Sequence, residues 1–92
     1  MTNINLTEIR KQIDLIDTQI IALLNQRWAL SPFIKEAKEG TETQILDPER
    51  EQKIIRQLQS LTPKTPDDVI QKIWKEIMDE SKRRQQEGKY KV

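Results

Sequence analysis

Residues 5–38 read NLTEIRKQIDLIDTQIIALLNQRWALSPFIKEAK, and the spacing of their apolar side chains decides the fold. Core-type positions recur at alternating intervals of three and four residues, which places them on one face of an α-helix. These positions are Leu6, Ile9, Ile13, Ile16, Ile20, Leu23, Arg27, Leu30, Ile34 and Ala37. Such a helix would be roughly 45 to 50 Å long, more than two short helices from the same chain could cover. We therefore expect a helical homodimer that shares this helix.

Proline and capping residues mark where helices begin and end. The first helix begins near Asn5, whose spacing to Glu8 matches a capping box. Pro32 removes a backbone donor and crowds the carbonyl of Trp28, so we expect a kink there, with a division into two helices as the alternative. The second helix runs from Pro48 to about residue 61, and the third follows residues 65–68 toward residue 88. The sequence predicts an all-α fold of three helices, with a long first, a short second and a medium third helix, in one domain over residues 1–92.

Composition excludes several function classes. The net charge is +1 and both signs are interleaved along the chain, so no basic patch indicates a nucleic-acid partner. The chain has no cysteine and no histidine, which removes the main ligands of zinc sites and the usual nucleophile systems, and we expect neither metal nor cofactor. No apolar run approaches the length of a membrane span, and the N-terminus lacks the apolar core of a signal peptide. We expect a cytoplasmic protein without a membrane partner.

Polar residues occupy the faces that should meet other helices. On the second helix, projection at 100° per residue places Asp47, Arg50 and Glu51 on the apolar face. That face is formed by Ile54, Ile55, Leu58 and Leu61. On the third helix, Ser81 and Gln85 continue the stripe of Ile70, Ile73, Trp74 and Ile77. On the first, Arg27 takes a core position and Lys38 lies close to the same face.

Each of these residues alone has an ordinary structural explanation. Arg27 could be ion-paired or set the helix register, and Lys38 could cap a helix or extend to solvent. Ser81 and Gln85 could form a solvated helix end, and Arg50 and Glu51 could pair with each other. Together, however, three inward cations face two acids, and a net positive interior requires an anion to balance it. The pattern favours a small carboxylated ligand between the helices.

Five segments in this order resemble the all-helical chorismate mutases of the AroQ class, also called type II. They are IRKQIDLID (9–17), LLNQR (23–27), KEAK (35–38), LDPERE (46–51) and DESKRRQ (79–85). The resemblance implies an intertwined homodimer and the rearrangement of chorismate to prephenate in phenylalanine and tyrosine biosynthesis. It implies one substrate-binding set: Arg10, Arg27, Lys38, Asp47, Arg50, Glu51, Ser81 and Gln85. Within this set Lys38, Gln85 and Arg27 would be catalytic.

The resemblance also implies a role for each residue. Arg27 and the Arg10 of the other subunit would hold carboxylates, with Ser81 assisting, and Arg50 would help to orient the site. Lys38 and Gln85 would donate to the ether oxygen, while Glu51 and the Asp47 backbone would hold the ring hydroxyl. Alternatives on the same fold are an isochorismate-pyruvate lyase and a 4-amino-4-deoxychorismate mutase. An alternative of another class is a non-catalytic helical dimer or adaptor.

Overall fold

The structure is a computed structural model that describes residues 5–38 and 47–87, without the side chains of Lys35, Glu36, Lys38 and Glu87. The described chain is helical, as predicted. Four α-helices follow one another, named α1 (Leu6–Ala29), α2 (Ser31–Lys38), α3 (Pro48–Leu61) and α4 (Asp67–Glu87). The second and third predicted helices correspond to α3 and α4, and the predicted first helix is present as α1 and α2.

The division between α1 and α2 falls at Leu30 and has a local cause. Pro32 has no amide hydrogen to donate to the carbonyl of Trp28, so the helical hydrogen-bond pattern cannot pass through this point. Leu30 N donates to Arg27 O at 3.2 Å and closes α1, while Leu30 O accepts from Phe33 N at 3.1 Å and opens α2. Pro32 then lies in the first turn of α2, where backbone donors have no partner within the helix.

Side chains cap the starts of α1 and α3. Asn5 Oδ1 accepts from Thr7 N at 2.8 Å, one residue before the position expected for a capping box. Asp47 Oδ1 accepts from Arg50 N at 3.1 Å, as expected for a helix that begins with proline. This cap fixes the first turn of α3 and thereby the direction in which its charged residues leave the helix.

The hydrophobic core lies between α3 and α4. Ile55, Ile70 and Met78 are buried together, and Ile54, Leu58 and Trp74 pack against them. Two residues of the predicted apolar faces lie outside this core. Leu61, the last residue of α3, is 67% exposed, and Ile73 is 48% exposed on the side of α4 that faces away from α3. These two residues are therefore exposed in the single chain, and their burial in the expected homodimer stays a prediction.

The stripe of α1 is left uncovered by the rest of the chain. No residue of α1 is buried, and Leu6, Ile13, Ile16, Ile20 and Leu23 are among the exposed large apolar residues. The radius of gyration is 17.2 Å, whereas a compact chain of this length would have about 12 Å. No described helix combines the length and hydropathy that a bilayer span requires.

Candidate functional site

A cavity of about 480 Å³ lies where the four helices meet. Six of the eight predicted site residues line it: Arg27, Asp47, Arg50, Glu51, Ser81 and Gln85. Leu30, Ile34, Ile54 and Met78 supply its apolar wall, and Lys82 is a further charged residue. The structure therefore brings together, from α1, α3 and α4, side chains that the sequence separates by up to 58 positions.

Arg27 and Arg50 bring two guanidinium groups to this cavity from different helices. Burial, and then the positive charge of Arg50, lower the pKa of Arg27. Arginine remains protonated despite such a shift, so the shift reflects burial and the nearby charge of Arg50 and not loss of charge. Among the side chains that the structure describes, no carboxylate forms an ion pair with either arginine. An anionic ligand would supply the missing opposite charge.

The two acids of the cavity are engaged in different ways. Asp47 caps α3 through its side chain, and its carbonyl accepts from Glu51 N at 3.0 Å. Glu51 Oε2 lies 3.2 Å from Lys82 Nζ, an ion pair that joins α3 to α4. The pairing of Arg50 with Glu51 that the sequence left open is not formed in the described residues. Arg50 is thus available to the cavity while Glu51 is held by another cation.

Lys82 is a cavity residue that the sequence analysis did not select. It also lies 3.3 Å from Asp79 Oδ1, and its side chain is 22% exposed. Burial disfavours the charged form, but the hydrogen bonds to Glu51 and Asp79 outweigh burial and raise the pKa of Lys82. The signal was available, because Lys82 lies four residues after Met78 and so shares its face of α4. Three cationic side chains and two carboxylates therefore line the described part of the cavity.

Ser81 and Gln85 are the neutral polar residues of the site, and both are buried, at 7% and 5% exposure. Ser81 Oγ lies 2.6 Å from the Oγ of Ser31, a fully buried residue that the sequence analysis did not single out. Gln85 Oε1 is buried and has no hydrogen-bond partner in the described part of the chain. A buried amide in this state requires a partner from outside that part of the chain.

Trp28 fixes α1 beside the cavity. Its Nε1 donates to the carbonyl of Ile77 on α4 at 3.0 Å, and the guanidinium of Arg84 lies 4.9 Å from the centre of its ring. Trp28 follows Arg27 directly, so these contacts also constrain where the Arg27 side chain begins. Trp28 thus joins α1 to α4 beside the cavity.

Of the two remaining predicted site residues, Arg10 does not line the cavity, and Lys38 has a side chain outside the described part of the structure. Arg10 is exposed on α1, roughly 25 Å along the helix from Arg27. Within a single chain it is therefore distant from the site. Lys38 ends α2, but its side chain lies outside the described residues.

A second, larger depression of about 1270 Å³ lies between α1 and α4. Its lining is mostly apolar and includes Ile20, Leu23, Leu24, Ile73 and Trp74. Arg27 reaches the edge of this groove as well as the smaller cavity. The groove is suited to an apolar protein surface and the smaller cavity to a charged ligand. Among the described residues no group of three or more acids is arranged to hold a metal ion.

Comparison with known proteins finds a family and relatives whose sequences are similar to this chain. The sequence profile described as chorismate mutase type II matches residues 9–86. The chain is 36% identical over 78 residues to a bifunctional chorismate mutase/prephenate dehydratase of Aquifex aeolicus (strain VF5), covering 79% of this chain and 22% of that protein.

Two further relatives carry similar names. One is a bifunctional chorismate mutase/prephenate dehydratase of Neisseria gonorrhoeae (strain ATCC 700825 / FA 1090), with 38% identity over 77% of this chain and 19% of that protein. The other is a chorismate mutase of Methanocaldococcus jannaschii, with 41% identity over 61% of this chain and 57% of that protein. The chain thus spans about a fifth of the two bifunctional relatives. No solved structure gives a significant match.

Proposed function

Because this chain belongs to the chorismate mutase type II family, we propose that it rearranges chorismate to prephenate, a step toward phenylalanine and tyrosine. The observation that carries the proposal is the pair of guanidinium groups, Arg27 and Arg50, that face one cavity without an acid partner among the described residues. Chorismate is a dianion, and arginine is the side chain best suited to hold carboxylates. The residues and the family therefore favour the same ligand.

The reaction makes modest chemical demands on the protein. One carbon–oxygen bond breaks and one carbon–carbon bond forms within the same molecule, so no nucleophile, cofactor or obligatory proton transfer is needed. The site must hold the reactive chair-like conformer and stabilise the negative charge that develops on the ether oxygen. A chain without histidine or cysteine can meet both demands with cations and neutral donors.

We assign the roles as follows. Arg27 holds a carboxylate with help from Ser81, and Arg50 orients the ligand. Glu51 accepts from the ring hydroxyl and the backbone of Asp47 helps to hold it, and Lys38 and Gln85 donate to the ether oxygen. The buried Oε1 of Gln85, which has no hydrogen-bond partner among the described residues, supports its part, since rotation of the amide exchanges Oε1 and Nε2 and can present a donor to the ligand.

We also propose that the active form is a homodimer in which Arg10 enters the site of the other subunit. The exposed stripe of α1 and the apolar groove beside α4 support dimerisation, because a contiguous apolar surface of this kind is typical of a protein interface. The distance between Arg10 and Arg27 supports a cross-subunit role. The proposal includes one domain over residues 1–92 and a cytoplasmic location.

A continuous assay of chorismate disappearance with purified protein tests the proposed activity. Arg27→Ala should lower kcat/KM by at least about 100-fold, because it removes a charge-assisted contact to the ligand. Arg56→Ala is the matched control, since Arg56 is exposed on α3 and does not line the cavity. It should retain wild-type activity. Equal loss in both variants would contradict the assignment of the cavity.

Parallel assays separate the alternative functions. Isochorismate and 4-amino-4-deoxychorismate should be poorer substrates than chorismate. For a non-catalytic dimer, a transition-state analogue of the rearrangement should leave Tm unchanged, whereas a ligand of the folded state raises it by mass action. Absence of turnover together with absence of a Tm shift would refute the proposed enzyme activity and favour the non-catalytic dimer.

A further inference from the structure

Lys82 places a positive charge beside the acid proposed to bind the ring substituent of the substrate. Its ammonium lies 3.2 Å from Glu51 Oε2 and 3.3 Å from Asp79 Oδ1. Lys82 and Glu51 both line the cavity, whereas Asp79 does not. The lysine is therefore held between an acid outside the site and an acid inside it.

The contact limits what Glu51 can bind. One carboxylate oxygen is engaged by Lys82, so the other is the one available to accept from a ligand. The charge of Glu51 is also balanced by its neighbour. A carboxylate in this state suits a neutral hydroxyl better than a cationic group, because a second cation would be repelled by the ammonium already present.

We propose that Lys82 makes the site selective for a ring hydroxyl over a ring amine, through its charge beside Glu51. This inference rests on the proposed function, in which Glu51 accepts from the ring hydroxyl of chorismate. The competing ligand is 4-amino-4-deoxychorismate, whose primary amine replaces that hydroxyl and is largely protonated near neutral pH. Lys82 is a specificity residue that acts by repelling this ammonium.

The test compares the two ligands in the intact protein. Lys82→Met keeps much of the length of the side chain and removes its charge. The measured quantity is the kcat/KM for chorismate divided by the kcat/KM for the amino compound. In Lys82→Met this ratio should fall by about tenfold, the size of effect expected for one partly screened charge pair. If the amine is not turned over, its inhibition constant is compared with the KM for chorismate, since neither constant depends on the folded fraction. A ratio within one preparation does not depend on the folded fraction, so loss of stability alone cannot produce the shift.

Two further variants make the result specific to charge. Lys82→Arg keeps the cation and should retain the wild-type ratio. Lys75→Met removes a lysine that lies 2.7 Å from the same Asp79 but does not line the cavity, and it should also retain the ratio. An unchanged ratio in Lys82→Met would overturn this inference and leave the proposed function intact. Failure of the wild-type protein to convert chorismate would instead overturn the proposed function.

Discussion

Gln85 and Ser81 occupy positions on α4 that continue the apolar stripe of Ile70 and Ile77. Both side chains are buried, and leaving a buried polar group without a partner costs about 1 to 3 kcal/mol. Ser81 meets this requirement through Ser31. For Gln85 Oε1 no described residue does so, which is why we assign the amide to the ligand. Ser81 is thus satisfied within the chain, whereas Gln85 Oε1 still needs a partner that no described residue supplies.

The choice of glutamine at position 85 predicts the pH dependence of the rate. An amide donates a hydrogen bond at any pH, whereas a carboxyl group must first be protonated. Of the cavity residues with a shifted pKa, Lys82 is raised and Arg27 is lowered from a very high value, so both stay charged from pH 6 to 8. The kcat of the wild-type protein should therefore be nearly constant over this range, as measured in buffers of matched ionic strength.

Gln85→Glu provides the comparison for this prediction. Its activity should fall as pH rises through the pKa of the new carboxyl group, because only the protonated form can donate to the ether oxygen. A steep loss in the wild-type protein between pH 6 and 8 would count against Gln85 as the donor.

At the scale of the element, α4 organises the molecule. It contacts each of the other three helices, and its polar face carries a chain of ion pairs. Lys75 Nζ lies 2.7 Å from Asp79 Oδ2, and Glu80 binds Arg83 and Arg84 at 2.8 Å each. These pairs link residues three or four positions apart and so stabilise α4 itself. The ion pair of Lys82 with Glu51 joins α4 to α3.

The carboxyl groups of Asp79 and Glu80 on α4 predict that the free energy of unfolding decreases at low pH. The hydrogen bond from Lys75 lowers the pKa of Asp79, and those from Arg84 and Arg83 lower the pKa of Glu80. A carboxyl group whose pKa is lower in the folded state stabilises it above the unfolded pKa, and this contribution is lost as pH falls through the folded pKa. Tm should thus change little from about pH 7 to 5 and fall below about pH 4, near and below the ordinary carboxyl values.

Thermal unfolding followed by circular dichroism measures this effect. In a double variant, Asp79→Asn with Glu80→Gln, Tm should decrease less between about pH 5 and pH 3 than in the wild-type protein. Asp68→Asn is the control, because Asp68 is 70% exposed and its ion pair with Lys72 spans 3.9 Å. A decrease in Tm as large in the double variant as in the wild type would assign the loss of stability to other groups.

At the scale of the whole molecule, the single chain leaves its longest helix uncovered. The core of α3 and α4 is small, and the apolar stripe of α1 contributes nothing buried to it. Exposed apolar surface of this extent is unfavourable in water and is removed by association. Ile73, exposed in the chain, lies in the groove beside α1, where a second subunit would cover it. The proposed homodimer thus accounts for the exposure of the α1 stripe and for the exposure of Ile73.

The shared site predicts that two inactive variants restore one another. Arg10→Ala and Arg27→Ala should each be inactive, since each removes one arginine from both sites of its dimer. After subunit exchange, a heterodimer has one site with both arginines and one with neither. Random exchange of an equal mixture should recover about a quarter of the wild-type activity, because half of the dimers are mixed and half of their sites are intact.

The measurement is chorismate turnover before and after exchange, with exchange followed by mass spectrometry of differently labelled subunits. Each variant after exchange with itself is the control and should stay inactive. If mixed dimers form and no activity returns, Arg10 does not enter the site of the other subunit.

Local signals predicted the helices more accurately than they predicted the contacts. Asp47 and Pro48 specify the start of α3 because a cap and a proline act within one turn. Pro32 indicated an interruption but not its form, since a kink and a division both follow from the hydrogen bond that proline cannot donate to the carbonyl of Trp28. Periodicity placed Leu61 on the apolar face, yet it is 67% exposed in the single chain, because periodicity assigns a face but does not say how far along it the partner helix extends.

The sequence by itself determined the all-α fold, the ends of α3 and α4, and six of the residues that line the cavity. Each follows from capping, proline placement or helical periodicity, which are properties of neighbouring residues. Only the tertiary structure decided that Ser31 binds Ser81 and that Lys82 binds Glu51. These contacts join different helices, and they depend on how the helices rotate and approach one another when the core packs. Helical periodicity places a side chain on a face, but only packing selects the atom that it meets.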